Sequence, residues 1–236
     1  MRKMQLAAAK ELQDAVPGKY MEMGAGMGNY MQYAYSTSIM AQVRFGQWDS
    51  LLAAPRIHPQ LKYAWAIQSF GKGMAWLKKG NTTNATAMLK DLKSLSSDAS
   101  LQEQFETINP AIKALGIMTA ILEGSIAWQN QQLDKAIALY EEAVKREDGL
   151  MYQEPRDWLL PGRHYLGAAL LAKRQFSRAA LVYQQELIIN PKNVWSLYGL
   201  YKAQSSLGKA KEAAQTKLQL QQAAKDADVQ LQSSVM

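Results

Sequence analysis

At 236 residues, 48% of them apolar, the chain can bury a substantial core, either as one domain or as an array of stacked units. It has no cysteine, which excludes disulfides, thiolate metal sites and cysteine nucleophiles. The net charge of +7 comes from dispersed lysines and arginines whose longest contiguous run is two, as in Lys78-Lys79, so it argues against a specific nucleic-acid footprint.

In chain order, residues 1–16 (MRKMQLAAAKELQDAV) carry Lys10, Glu11 and Asp14 where the apolar part of a signal peptide would lie. They read as an amphipathic helix, the second helix of a hairpin whose first helix is absent. The methionine-rich stretch Met21 to Met31 offers thioethers that suit cuprous copper. It joins two helices, however, and reads as adaptable core filler with no metal assigned. Apolar residues at three- and four-residue spacing then predict helical hairpins over 28–53, 60–96 and 108–148. An insertion follows at 149–157, then hairpins over 158–191 and 193–228, and a frayed tail at 232–236. The last helix, from about 209 to 228, has polar outer positions suited to closing an array. No uninterrupted apolar run approaches the roughly 20 residues of a membrane span.

A ruler recurs along these hairpins. Gly167 is followed by Ala179, Tyr183 and Pro191, and Gly124 by Ala136 and Tyr140. Gly73, Ala85 and Leu89 keep the same spacing, and Tyr201 with Ala213 a weaker copy. Ile39 and Leu51 mark a degenerate earlier copy, so the steps between copies are 34, 51, 43 and 34 residues, and 34 is the period of the tetratricopeptide repeat. The small residue lets the second helix cross closely, the alanine is its counterpart, and the aromatic fills the gap towards the next hairpin. Turn signals lie between paired helices at 44–48, 78–82, 130–134, 173–177 and 206–210. The expected fold is all-α: a right-handed superhelix, or α-solenoid, of antiparallel tetratricopeptide-like hairpins.

Tyr152, Glu154, Pro155, Trp158, Pro161, Arg163, Leu166, Gly167 and Ala168 fall in the register Y-x-E-P-x-x-W-x-x-P-x-R-x-x-L-G-A. Asn190, Pro191, Asn193, Trp195, Leu197, Gly199 and Leu200 fit a second pattern, N-P-x-N-x-W-x-L-x-G-L, and residues 43–55 look like an R-F-G-R-W-D-E segment. On these motifs the chain resembles the C-terminal part of a family of large bacterial tetratricopeptide-repeat proteins. The resemblance implies a soluble bacterial protein of the cytoplasm or periplasm. Members of that family have further repeats ahead of this region, and some carry a histidine-containing motif that this chain lacks.

The run from 152 to 164 is the densest in chemistry: Glu154, Asp157, Arg163 and His164 lie close together. A carboxylate–histidine pair there supports an alternative reading, an enzyme-associated or ligand-binding site. The architectural reading is stronger. It has Asp157 capping a helix that starts near Trp158, Pro161 in the first turn, and Glu154 or Asp157 paired with Arg163. No nucleophile, oxyanion hole or phosphate loop accompanies the run, so no catalytic residue, cofactor or metal ligand is assigned, and the chain reads as not an enzyme.

Arg163 and His164 on one first helix, with Trp195, Tyr198 and Lys202 on the next, form the candidate partner-binding face. Aromatic, cationic and small residues together suit a protein or peptide segment, acidic or C-terminal in character. Ile67, Phe70, Met74, Met118, Ile121 and Trp128 would make the same face of earlier hairpins unusually apolar, which raises self-association as a further expectation.

Overall fold

The computed structural model describes residues 2–24, 26–106 and 108–235. Met1 and Met236, the outer ends of the predicted first helix and tail, lie outside the described residues, as does Ala25 in the methionine-rich stretch. Among the described residues the chain forms twelve α-helices, one 3-10 turn and no strand. After α1 (Arg2–Ala15) and the short α2 (Gly18–Met21) the helices come in pairs. These are α3 (Met27–Arg44) with α4 (Trp48–Ala53), α5 (Lys62–Lys78) with α6 (Thr82–Ser94), and α7 (Ala111–Gln129) with α8 (Leu133–Asp148). The last pairs are α9 (Gly162–Ala172) with α10 (Phe176–Ile189) and α11 (Val194–Ser206) with α12 (Ala210–Ala223).

The five turns inside these pairs are built alike. Gly46, Gly80, Gln131, Arg174 and Gly208 each have a φ between 61° and 75°. The amide after each one bonds back to the carbonyl five residues earlier, at 2.8 to 3.0 Å: Gln47 to Gln42, Asn81 to Trp76, Gln132 to Ala127, Gln175 to Leu170 and Lys209 to Gln204. This is the closure that a left-handed residue permits at a helix C-terminus, and glycine takes it without a Cβ penalty in three of the five. The left-handed residues follow one another at 34, 51, 43 and 34 residues, the same steps as the ruler. The longer steps hold extra chain, residues 96–110 with a 3-10 turn at Ala99–Leu101 in one and residues 149–161 in the other.

Successive helices pack on one another, and alternate helices α1, α3, α5, α7, α9 and α11 also touch in order. The glycines set how closely they approach. A Cβ on Gly167 would lie 2.3 Å from the Tyr183 ring, one on Gly199 2.1 Å from the same ring, and one on Gly124 2.6 Å from the Tyr140 ring. Tyr183 on α10 is therefore clamped between α9 and α11, fully buried. Ala85, Ala136 and Ala179 are likewise fully buried.

One helix, α7, is long and apolar enough by length and composition to cross a membrane, although Lys113 and Glu123 interrupt its apolar run. It packs against α5, α6, α8 and α9, with Ile117, Met118, Ile121 and Leu122 fully buried, so it serves as a central core helix.

Candidate functional site

Two non-helical segments lie against the faces of the first helices. The first, 149–161, folds back over α3 and α5 and onto Asn109 just ahead of α7. Asn109 grips its start with both ends of its carboxamide, donating to the Met151 carbonyl (2.9 Å) and accepting from the Met151 amide (3.1 Å). The same amide nitrogen donates to Asp157 (2.8 Å), and the Tyr33 hydroxyl donates to the Arg156 carbonyl. Trp158 is 3% exposed, meets Phe70 edge-on at 5.3 Å between ring centroids, and donates its indole N–H to the Leu160 carbonyl (2.6 Å). Through Trp158 this segment covers Phe70 of α5. Ile67, Phe70, Met74, Met118 and Ile121 are buried inside the chain, so they offer no surface for a second copy.

Several expectations at 152–164 are corrected. The helix begins at Gly162, not near Trp158, and Pro161 precedes it as the N-cap residue. Asp157 does not cap it. Glu147, at the end of α8, does so by accepting from the Gly162 amide (2.7 Å), favourable for a carboxylate at a helix N-terminus. Burial pushes the Glu147 carboxyl up to about 7, with Glu186 and Asp148 adding to the rise and the Gly162 bond and Arg163 opposing it. Arg163 pairs with neither Glu154 nor Asp157 but holds Asp148 through two bonds of 2.8 Å. Burial also raises the Asp157 carboxyl, against the lowering effect of the Asn109 bond. Glu154 is exposed and accepts from the Tyr152 hydroxyl (2.7 Å), and its peptide bond to Pro155 is cis.

The candidate partner-binding residues divide. Arg163 and His164 are buried, at 6% and 1% exposure, so neither stands on the accessible partner-binding face expected of it. His164 is enclosed because the end of α3 reaches it: Arg44 donates to its Nδ1 (2.9 Å). An arginine can only donate, so Nδ1 accepts, and Nε2 carries the proton that it gives to the Ser196 hydroxyl (2.9 Å). Burial first, and the Arg44 charge second, hold this imidazole well below the usual histidine range, so it is neutral. Trp195 is half-buried, 4.6 Å from the Arg44 guanidinium and 6.0 Å from Phe45 between ring centroids, filling the seam where early and late helices meet. Tyr198 is half-buried and Lys202 exposed, so these two stay on an accessible face.

The second segment is the tail, and it is not frayed. Asp228 accepts from the Arg2 and Lys3 amides at the start of α1 (2.5 and 3.0 Å). The Gln232 carbonyl accepts from the Tyr198 hydroxyl (3.0 Å), and Ser234 is 2% exposed. Its hydroxyl donates to the His164 carbonyl (2.9 Å), so the Tyr183 hydroxyl must donate to it (2.6 Å). Burial raises the Tyr183 hydroxyl far above the ordinary tyrosine range. Ser233 and Val235 border a cavity of about 270 Å³ lined by Met74, Lys78, Trp128, Tyr140 and Tyr165. Burial lowers the Lys78 ammonium there and pushes the Tyr165 hydroxyl up to about 12.

The methionines of 21–31 do not converge: Met21 is buried against α3 while Met23 stands 48% exposed. Sequence periodicity missed the tail residues because their apolar spacing stops. Gln232 and Ser234 gave no signal, since a lone hydroxyl beside a glutamine is common in unstructured termini. Comparison with family models, with curated proteins and with solved structures returns no match.

Proposed function

We propose that the chain is a non-catalytic protein-interaction scaffold. In this reading it is a right-handed superhelix of tetratricopeptide-like hairpins, and it binds an extended protein or peptide segment on the face that α7, α9 and α11 share. The five equivalent turns at 34, 51, 43 and 34 residues support the repeat reading, as do the contacts between alternate helices and the glycine–tyrosine clamps. The motifs at 152–168 and 190–200, which resemble those of bacterial tetratricopeptide-repeat proteins, are consistent with it.

The observation that carries the binding reading is the segment 229–235. It lies non-helical against α9 and α11, held by Tyr198, Tyr183 and the His164 carbonyl, beside a cavity with room for further side chains. A face that takes one bent, non-helical segment by hydroxyls and carbonyls has the chemistry to take another.

Photo-crosslinking inside cells tests this. Crosslinkers at Gln129 and Lys202 are expected to capture the same segment of another chain, while those at Leu181 and Lys211 on the second helices do not. Capture confined to the second-helix positions contradicts the reading. A ligand site at 152–164 keeps one supporting observation, a cavity of about 220 Å³ bordered by Glu147, Arg156, Asp157 and Arg163. His164 does not border it, and Arg163 is already committed to Asp148. That reading is therefore secondary.

A further inference from the structure

The contacts of the tail define a chemistry. Tyr183 presents an O–H donor and His164 a carbonyl acceptor to one point, and the Ser234 hydroxyl satisfies both at once. The donor is fixed in place, because the Tyr183 ring cannot move between Gly167 and Gly199. An alanine or valine at that point leaves the donor and acceptor unpaired in a buried site, and a carboxylate faces the His164 carbonyl oxygen. The next position is aliphatic: Val235 packs against the core at the edge of the cavity.

The hold on this segment is nonetheless light. Gln230 and Gln232 are exposed, and Val229, Leu231 and Ser233 only half-buried. Among the described residues, no backbone-to-backbone hydrogen bond joins 229–235 to a helix. The segment stays in place through the Tyr198 and Ser234 contacts, Val235 at the cavity edge, and the anchor of Asp228 on the Arg2 and Lys3 amides at its start. A tether of this length supplies an effective concentration in the millimolar range, enough to keep a weakly bound strand seated.

We propose that residues 229–235 are a built-in occupant of the α9–α11 face. The same face accepts in trans a non-helical peptide with a small hydroxyl residue followed by an aliphatic one, and the peptide enters only as the segment leaves. This rests on the peptide-scaffold reading above and names both the sequence class of the partner and the competitor that regulates it. Binding to a partner is then set by two opposed quantities, the partner's own affinity and the tethered concentration of the segment. A weak partner is excluded, and a partner with a better hydroxyl–aliphatic pair, or one present in several copies, is admitted.

The test uses the full chain and a fluorescent peptide of sequence VQLQSSV, residues 229–235, with both ends blocked. Its anisotropy is titrated against wild type, Ser234→Ala and Ser234→Glu. Releasing the segment frees the face, so affinity is expected to rise in that order, with Ser234→Glu binding at least about ten-fold tighter than wild type. Replacing the second serine of the peptide by alanine is expected to weaken binding to Ser234→Glu about five-fold or more. Ser234→Ala adds no charge, so the ordering survives even where Ser234→Glu disturbs the fold, which circular dichroism reports. Equal affinity for all three forms overturns the built-in occupant and leaves the scaffold reading standing. No binding to any form overturns both.

Discussion

Residues 149–161 and 229–235 are both non-helical, and both lie against faces of the first helices, yet they are held in different ways. The first is anchored at both ends by α8 and α9 and buries an indole and a leucine, Trp158 at 3% and Leu160 at 2% exposure. The second is anchored only at its start, by Asp228 on the α1 amides and its tether to α12, and buries one hydroxyl. Burying a large aromatic side chain removes roughly 150–250 Å² from water, a stabilisation that a hydroxyl bond worth about 1 kcal/mol cannot match. The first segment is thus part of the core, and the second is an occupant. The difference lies in the type of contact rather than in sequence distance, since Trp158 meets Phe70 and Ser234 meets His164 across comparable lengths of chain.

Mutation should separate the two most sharply at Trp158. Trp158→Ala removes the ring that covers Phe70 and should cost about 3–5 kcal/mol, with a large fall in the denaturant midpoint. An unchanged midpoint would place the first segment on the same footing as the second. Gly199→Ala comes next, because its Cβ would strike the Tyr183 ring at 2.1 Å. Overpacking of this kind should cost about 1–3 kcal/mol. It also displaces the Tyr183 hydroxyl from Ser234, so it should loosen the tail, visible as faster proteolysis near residue 229. A stability loss without faster cleavage would uncouple the clamp from the tail. Ser234→Ala is the smaller effect, about 1 kcal/mol with helicity unchanged by circular dichroism.

The pH dependence is a finer probe, because two groups beside the first segment oppose each other. Glu147 is raised from 4.5 to about 7, so the folded state holds its proton more tightly than the unfolded chain. Its contribution is fully present below about 4.5 and is lost as pH rises through about 7. His164 is lowered from 6.5, so the unfolded chain binds the proton that the folded state refuses, and stability falls as pH drops below about 6.5. Glu147→Gln keeps an oxygen for the Gly162 amide and should remove the loss on the neutral side, leaving the acid loss in place. A melting temperature for Glu147→Gln that tracks wild type from pH 5 to 8 would show that this carboxyl is solvated.

The helical hairpins were legible because their signals are local and repeated. Each turn needs one residue that tolerates the left-handed conformation, and three of the five hairpins repeat a glycine and an alanine twelve residues apart, as at Gly167 and Ala179. The candidate face was only half legible. Tyr198 and Lys202 are accessible because helical spacing alone decides which side of α11 they occupy. His164 has similar spacing but is sealed by Arg44, 120 residues earlier, through a closure between early and late helices that no local pattern announces. Arg163 likewise found its partner on the preceding helix, in Asp148, and not in the nearer acids of 152–157. The tail was illegible for the opposite reason: the three hydrogen bonds that seat it at Tyr198, Tyr183 and His164 depend on one serine and one carbonyl, and neither has a periodic signature.

Hydrogen exchange followed by mass spectrometry on the unmodified chain tests the distinction most directly, with the blocked VQLQSSV peptide added in excess. The amides of 229–235 should exchange much faster than those of 156–161 before addition, and faster still once the peptide displaces them, while 156–161 stays unchanged. Equal protection of the two segments, or a tail that keeps its protection at saturating peptide, would contradict the account.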